Sequence, residues 1–191
     1  MARIAPKALD RYPWPVRWVL RRQVRKYGAV LAPALLWGRL PGPFLGMLGL
    51  LGAFGHRNPV EARLRSLVSV RVAQLVGCDF CVDLNAHHVL AAGGQRDKVE
   101  AVGRWRDSDR FDDRERAALA YAEKVTQRCE ALVDADIGSL RAHFGDDQIV
   151  ALTAWIAFQN MSARFNTALG AEQHGFCELP GEPPDGTADK L

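Results

Sequence analysis

The sequence has no strong excess of charge of either sign. Its 25 lysine and arginine residues stand against 22 aspartate and glutamate residues, which gives a formal net charge of +3. A protein that binds nucleic acid through its phosphates carries a larger basic surplus, so we expect no nucleic-acid partner. Residues 1–26 hold eight basic side chains against Asp10 alone, and we interpret them as the solvated face of a surface helix.

A clean apolar run long enough to cross a membrane is also missing. Residues 29–54 are apolar overall, but Arg39, three prolines and five glycines interrupt them. A spanning helix needs about 20 consecutive, predominantly apolar residues, and a signal peptide needs a shorter charged leader. We therefore expect a cytoplasmic protein in which residues 1–54 form a helical extension packed on the core or on a partner subunit. The alternative is that the basic N-terminal helix lies on a membrane surface.

Cysteine is scarce, with only Cys78, Cys81, Cys129 and Cys177 in 191 residues. A chain of this length, 48% hydrophobic, buries an adequate core without disulfides. A single Cys-x-x-Cys pair then indicates redox or metal chemistry in a reducing compartment. Structural zinc needs four ligands, usually in two separated pairs, and Cys129 and Cys177 are single. The prediction is a redox pair with no metal and no cofactor; a buried, inert pair is the alternative.

No segment alternates between apolar and polar residues as a strand would, so the fold class is predicted to be all-α. The helix "PVRWVLRRQVRKYG" begins with proline and ends with glycine, and Trp14, Trp18 and Val24 are expected on its apolar side. Asn58 is predicted to cap the helix that runs to Gly77. A long helix is predicted from Asp146 to about Leu169.

The stretch "GCDFCVDLNAHH" (residues 77–88) combines two cysteines with two histidines. Cys78 is predicted near a helix junction, and Cys81 within the first turn of the next helix. Helical spacing puts Cys81, Asn85 and His88 on one face, with His87 pointing elsewhere. A helix N-terminus lowers a thiol pKa, whereas the nearby carboxylate of Asp83 opposes thiolate formation.

Three segments carry a family resemblance: "LRSLVSVRVAQLVGCDFCVDLNAHHVLAAGG", "FDDRERAALAYAEKVT" and "VALTAWIAFQNMSARFNTALG". In this order they resemble the carboxymuconolactone decarboxylase and alkylhydroperoxidase D-like family, over about residues 55–170. The resemblance implies an all-α, alkylhydroperoxidase D-like helical bundle over 55–175 that assembles as a homo-oligomer: a trimer, a hexamer or a related ring. The exposed-looking apolar surface of 29–54 also favours oligomerisation, a dimer included. Residues 176–191 are expected to be a flexible tail.

The resemblance also implies roles for the two cysteines. In the peroxidase branch of the family the second cysteine attacks a hydroperoxide and becomes a sulfenic acid, and the first cysteine resolves it as a disulfide. By position, Cys81 is the attacking thiol and Cys78 the resolving thiol. A dithiol reductant protein then restores the pair, and a small-molecule hydroperoxide is the substrate.

The sequence departs from the peroxidase pattern at its proton relay. The glutamate expected twelve residues before the first cysteine is Ser66, and the histidine expected four residues after the second cysteine is Asn85. The histidine often found just before the second cysteine is Phe80. Serine and asparagine do not act as a general base near pH 7, so His88 is the replacement candidate.

Two other functions stay open on the same scaffold. A non-redox protein could hold a small apolar or acidic ligand in a pocket between the helices. A lactone decarboxylase-like activity is the other, although that branch normally lacks the cysteine pair. The prediction is a thiol-dependent hydroperoxidase or disulfide reductase with a degenerate proton relay.

Overall fold

The computed structural model describes residues 2–177, and within this range the chain is helical with no β-strand. The predicted all-α class is therefore confirmed. The helices are α1 (Trp14–Tyr27), α2 (Ala32–Trp37), α3 (Pro41–Gly55), α4 (Ala62–Val76), α5 (Asp79–Ala91), α6 (Arg96–Ala101), α7 (Asp113–Gln127), α8 (Asp134–Arg141) and α9 (Asp146–Leu169). Short 3-10 turns occupy Leu9–Arg11, Val102–Asp107 and Cys129–Ala131.

The junction between α4 and α5 fixes the position of the cysteine pair. Helix α4 ends at Gly77, whose φ of 71° lies in the left-handed region that glycine adopts without a Cβ clash. The chain therefore turns at once, and Cys78 becomes the N-cap of α5. The prediction of a helix junction at Cys78 with Cys81 in the following first turn is confirmed.

The start of α4 differs from the prediction. The helix begins at Ala62 with Glu61 as its N-cap, and Asn58 lies outside it. The Oδ1 atom of Asn58 accepts the N–H of Val60 at 2.9 Å, which is a local turn that asparagine favours. Asn58 therefore satisfies a turn and does not cap the helix.

The predicted apolar side of α1 is also wrong. Val16 and Leu20 are buried, whereas the side chains of Trp14, Trp18 and Val24 are 74%, 57% and 43% exposed. Residues two positions apart on an α-helix point about 200° apart, so a helix that buries Val16 and Leu20 turns both tryptophans outward. The buried face is set by the aliphatic pair, and the tryptophans lie among the basic residues.

Helix α4 is the centre of the fold, with α5, α7 and α9 packed around it. Two hydrophobic clusters result. The main core includes the fully buried Leu67, Val68, Leu119, Leu152 and Ile156. The extension cluster joins the N-terminal helices to the start of α5 and to α9, through Val16, Leu20, Phe44, Phe80, Cys81 and Ala163. The extension therefore packs directly around the cysteine pair.

The chain after α9 folds back over α5. The backbone N–H groups of His174, Phe176 and Cys177 donate to the carboxylate of Asp83 at 3.1, 3.0 and 2.6 Å. Most of the predicted tail, residues 178–191, lies outside the described residues. Among residues 2–177, no helix combines the length and the apolar character needed to cross a membrane.

Candidate active site

Cys78 and Cys81 form a disulfide at the N-terminus of α5. Their Cα atoms are 5.2 Å apart, within the range that a disulfide spans. As the N-cap, Cys78 accepts the backbone N–H of Cys81 on its Sγ at 3.3 Å. Both cysteines are buried. Helix N-terminal N–H groups stabilise negative charge, so this position favours a thiolate when the pair is reduced.

Asn166 is a contact of the pair that the sequence did not identify as a site residue. Its side chain, 2% exposed, donates from Nδ2 to Cys81 Sγ at 3.3 Å. Asn166 closes the "N-x-x-x-R-F-N" segment on which part of the resemblance rests, but 85 residues separate it from Cys81. Only the packing of α9 against α5 brings the amide and the sulfur together.

A cavity of about 360 Å³ lies beside the pair. Cys81, Asn85 and His88 line it from α5, and Ser66 lines it from α4. Cys78 is absent from its wall. The cavity therefore brings together four of the five predicted site residues, and its wall includes one cysteine of the pair.

The N-terminal extension supplies much of the opposite wall. Apart from Gln23, its contributions are apolar, and they include Leu31, Ala34, Trp37, Phe44, Met47 and Leu48. Trp37 stacks on Phe165 of α9, with ring centroids 3.9 Å apart. Apolar patterning of residues 29–54 predicted a packed segment but gave no signal for a cavity wall, because the wall depends on how α2 and α3 fold over α5 and α9.

The resemblance implied proton-relay residues at positions 66 and 85. Both positions carry neutral side chains, Ser66 and Asn85, and both line this cavity. Asn85 is buried and its Nδ2 donates to the Cys81 carbonyl at 2.7 Å. This bond is a local contact along α5. Ser66 is 9% exposed. Neither side chain can take a proton from a thiol near neutral pH.

His88 is the one cavity residue that titrates in the neutral range. Burial lowers its pKa below the usual value, and the positive charge of Lys26 and the neighbouring His87 lower it further. The neutral imidazole, which can accept a proton, is thus favoured at pH 7. His87 lies outside the cavity wall and its ring contacts Phe176, with centroids 6.0 Å apart. The predicted division between the two histidines matches this placement.

Asp83, expected to oppose thiolate formation, has another set of contacts. Its carboxylate accepts the three backbone N–H groups of residues 174–177 described above. Those amide dipoles stabilise the charge of Asp83 and hold it against the C-terminal segment. The same segment contacts the extension, because His174 Nε2 accepts the Ala32 N–H at 3.1 Å. Asp83 is therefore a structural anchor for two segments that flank the site.

Side chains that could together bind a metal ion are absent from the part of the chain that the structure describes. No group of three histidine, cysteine, aspartate or glutamate side chains is arranged to hold a metal ion there. Cys129 is exposed and free, and Cys177 is a partly buried free thiol whose pKa is raised by burial.

These features define a class of protein: an all-helical bundle with a Cys-x-x-Cys pair at a helix start, beside an apolar cavity. The model of the carboxymuconolactone decarboxylase family matches residues 44–124. The uncharacterized protein YnjA of Escherichia coli (strain K12) is 41% identical over 167 residues, which cover 87% of this chain and 90% of that protein. The chain belongs to the carboxymuconolactone decarboxylase family.

Solved structures share the fold. The alkylhydroperoxidase AhpD core of an uncharacterized peroxidase-related protein from Ralstonia eutropha JMP134 aligns with a TM-score of 0.83 at 21% identity, over 91% of this chain and 93% of that one. The debrominase Bmp8 aligns with a TM-score of 0.76 at 21% identity, over 90% and 91% of the two chains. Coverage this high includes most of residues 1–54. The shared fold therefore includes much of the N-terminal extension, whereas the sequence resemblance covered only about residues 55–170.

Proposed function

We propose that the protein is a thiol-dependent peroxidase that reduces a small organic hydroperoxide with the Cys78–Cys81 pair. The observation that carries this proposal is the asymmetry of the pair about the cavity. Cys81 lines an apolar cavity of ligand size, and Cys78 lies behind it at disulfide distance. A substrate in the cavity meets one sulfur, and the second sulfur is close enough to resolve the product.

The reaction balances with a dithiol as the electron donor. The Cys81 thiolate attacks the distal oxygen of the hydroperoxide, the O–O bond breaks, and the alkoxide leaves and takes up a proton as the alcohol. Cys81 is now a sulfenic acid. The thiol of Cys78 attacks its sulfur, a disulfide forms and water leaves. An external dithiol then exchanges with the disulfide, becomes oxidised itself, and returns both cysteines to the thiol form.

The residues around Cys81 have two tasks in this reaction, which are to transfer the proton and to stabilise the thiolate. The neutral imidazole of His88 accepts the thiol proton, directly or through a water molecule, and returns it to the departing alkoxide. The N–H of Asn166 and the N-terminus of α5 stabilise the thiolate sulfur. These contacts replace the glutamate and histidine relay that Ser66 and Asn85 interrupt.

A second candidate is reductive removal of a halogen from an aromatic ring. Aromatic side chains in the cavity, Trp37, Phe44 and Phe158 among them, favour it. The debrominase Bmp8 shares the fold, and a cysteine-to-alanine variant of that enzyme has been crystallised in complex with 2,3,4-tribromopyrrole. An aryl bromide and two thiols would give the arene, a disulfide and hydrogen bromide, so the same pair can supply the electrons.

The test is consumption of substrate by the reduced protein with dithiothreitol as the donor. Cumene hydroperoxide, hydrogen peroxide and 2,3,4-tribromopyrrole are compared, and Cys129→Ser serves as the control because Cys129 is an exposed free thiol. We expect turnover of cumene hydroperoxide that Cys129→Ser retains. Turnover of the bromopyrrole alone would favour the second candidate, and no turnover of any of the three would contradict the redox proposal and leave a binding protein.

A further inference from the structure

The cavity contains one permanent charge, and that charge is positive. Arg65 lines the cavity from α4, one position before Ser66. No aspartate or glutamate among residues 2–177 lines the cavity, and Arg65 forms no ion pair within that range. A cation that faces an apolar cavity without a counter-ion lowers the cost of bringing an anion there.

The fold holds this guanidinium in place without neutralising it. Its Nη1 donates to the Phe54 carbonyl at the end of α3, at 2.7 Å. The guanidinium carbon lies 5.1 Å from the ring centroid of Trp155, within reach of a cation–π contact. Trp155 is itself fixed, because its Nε1 donates to Ser69 Oγ at 2.8 Å. Burial lowers the pKa of Arg65, which reflects the loss of water around the charge.

Several residues of the cavity wall also carry side-chain atoms that have no hydrogen-bond partner. Within residues 2–177, six buried side-chain nitrogen or oxygen atoms have no partner, and four of them belong to cavity residues. Three of the four are donors: Trp37 Nε1, Arg65 Nε and Gln159 Nε2. Gln159 is only 6% exposed. These atoms are shielded from solvent, so they leave the residues around the cavity with unmet hydrogen-bonding capacity, which costs stability.

Helix α9 sets the distance between this charge and the reactive sulfur. Asn166 contacts Cys81, whereas Trp155 contacts Arg65. Seven residues of α9 separate Asn166 from Gln159 and eleven separate it from Trp155, which correspond to about 10 and 16 Å along the helix. The thiol and the guanidinium therefore lie toward opposite ends of the apolar cavity.

We propose that the cavity takes an apolar carboxylic acid, whose carboxylate binds Arg65 while its far end reaches Cys81. The part of this inference that concerns Cys81 rests on the proposed function. Together, the two make the substrate an apolar carboxylic acid that carries a hydroperoxide group. The carboxylate end is independent of the redox chemistry, so it is testable by binding alone.

The experiment compares decanoate with decan-1-ol, which share a chain and differ in the charged group. Dissociation constants for the disulfide form of the protein are measured by calorimetry. A charge-assisted bond to a partly buried guanidinium changes affinity by roughly 10-fold or more, so wild type should prefer decanoate by at least about that factor. Arg65→Gln should abolish the preference and keep the affinity for decan-1-ol within about twofold.

Two variants control this result. Arg63→Gln removes the same charge from the exposed side of α4, outside the cavity, and should keep the preference for decanoate. Arg65→Lys should retain part of it, because the charge stays while the planar fork is lost. Equal binding of the acid and the alcohol by wild type, or a preference that survives in Arg65→Gln, would overturn the proposal. Because the assay involves no turnover, loss of peroxidase activity in the other tests would leave this outcome unaffected.

Discussion

Two groups of buried polar side chains lie on opposite sides of α4, and they differ in whether their hydrogen bonds are complete. Glu123 on α7 accepts Arg71 Nε at 2.6 Å and Trp105 Nε1 at 2.9 Å, and it pairs with Arg106 at 2.6 Å. Burial alone would raise the pKa of Glu123, but these three partners lower it below its usual value. Every oxygen of this carboxylate is satisfied within the fold.

The cavity beside Cys81 shows the opposite condition. Arg65, Gln159 and Asn166 each keep a buried polar atom without a partner there. A complete buried network stabilises the chain, whereas an incomplete one lowers stability unless a ligand completes it. The Glu123 network therefore serves stability, and under the proposed function the cavity serves chemistry. Substitutions in the two regions should therefore affect different measurements.

The largest expected effect is on turnover, in Cys81→Ser. Because the attacking sulfur is replaced by a poor nucleophile, peroxide consumption should fall by at least about 1,000-fold. The free energy of unfolding under reducing conditions should change little, since serine is nearly isosteric. The assay is steady-state consumption of cumene hydroperoxide, with urea unfolding of the reduced proteins beside it. Full activity in this variant would contradict the role of Cys81.

The matching change in the other region is Glu123→Gln. It leaves Arg71 and Arg106 without their carboxylate, so the free energy of unfolding should fall by about 2–4 kcal/mol. Turnover of the folded protein should stay within about twofold of wild type. Urea unfolding measures the first quantity. Arg141→Gln, which breaks an exposed pair with Asp146, is the control and should shift the midpoint little.

His88→Gln tests the replacement of the proton relay. Loss of a general base should slow turnover by roughly 100-fold, while His87→Gln, outside the cavity wall, should have little effect. The pH profile gives a second reading. Because the pKa of His88 is lowered in the fold, the neutral base persists below pH 6.5, and activity should decline only as the pH falls through that lowered value. An unchanged acid limb in His88→Gln would remove His88 from the mechanism.

The same shift predicts how the fold responds to acid. A histidine whose folded pKa lies below its unfolded value binds fewer protons in the native state than in the unfolded state. The stability from this group is therefore complete above about pH 6.5 and declines as the pH falls through the lowered folded pKa. The difference in stability between wild type and His88→Gln should be constant above about pH 6.5 and change below it, as measured by urea unfolding across that range. Parallel slopes would argue against the lowered pKa.

A smaller effect is expected for Asn166→Leu, which keeps the branch at Cγ and removes the donor to Cys81 Sγ. Loss of a hydrogen bond to the charged sulfur destabilises the thiolate and raises the thiol pKa, so turnover at pH 7 should fall by roughly tenfold. Alkylation rates of the reduced protein against pH measure that pKa directly. Met161→Leu, an exposed position on the same helix, is the control. An unshifted thiol pKa would show that Asn166 is only a packing residue.

The sequence predicted the parts of the site that depend on short-range pattern. Periodicity placed Cys81, Asn85 and His88 on one face, and Gly77 marked the helix junction. It missed contacts between distant segments: Asn166 against Cys81, the C-terminal segment on Asp83, and the wall formed by α2 and α3. Trp14 was misassigned for a related reason, because two competing faces of α1 are each apolar enough and tertiary packing selects between them. Arg65 gave no local signal at all.

In the proposed reaction Cys81 is the sulfur that meets the substrate and Cys78 is the one that resolves it. The most direct measurement treats reduced Cys78→Ser with one equivalent of cumene hydroperoxide and traps sulfenic acid with dimedone, followed by peptide mass spectrometry. We expect a dimedone adduct on Cys81, and no comparable adduct on Cys78 in the Cys81→Ser protein. An adduct on Cys78 in Cys81→Ser, with none on Cys81 in Cys78→Ser, would contradict this assignment.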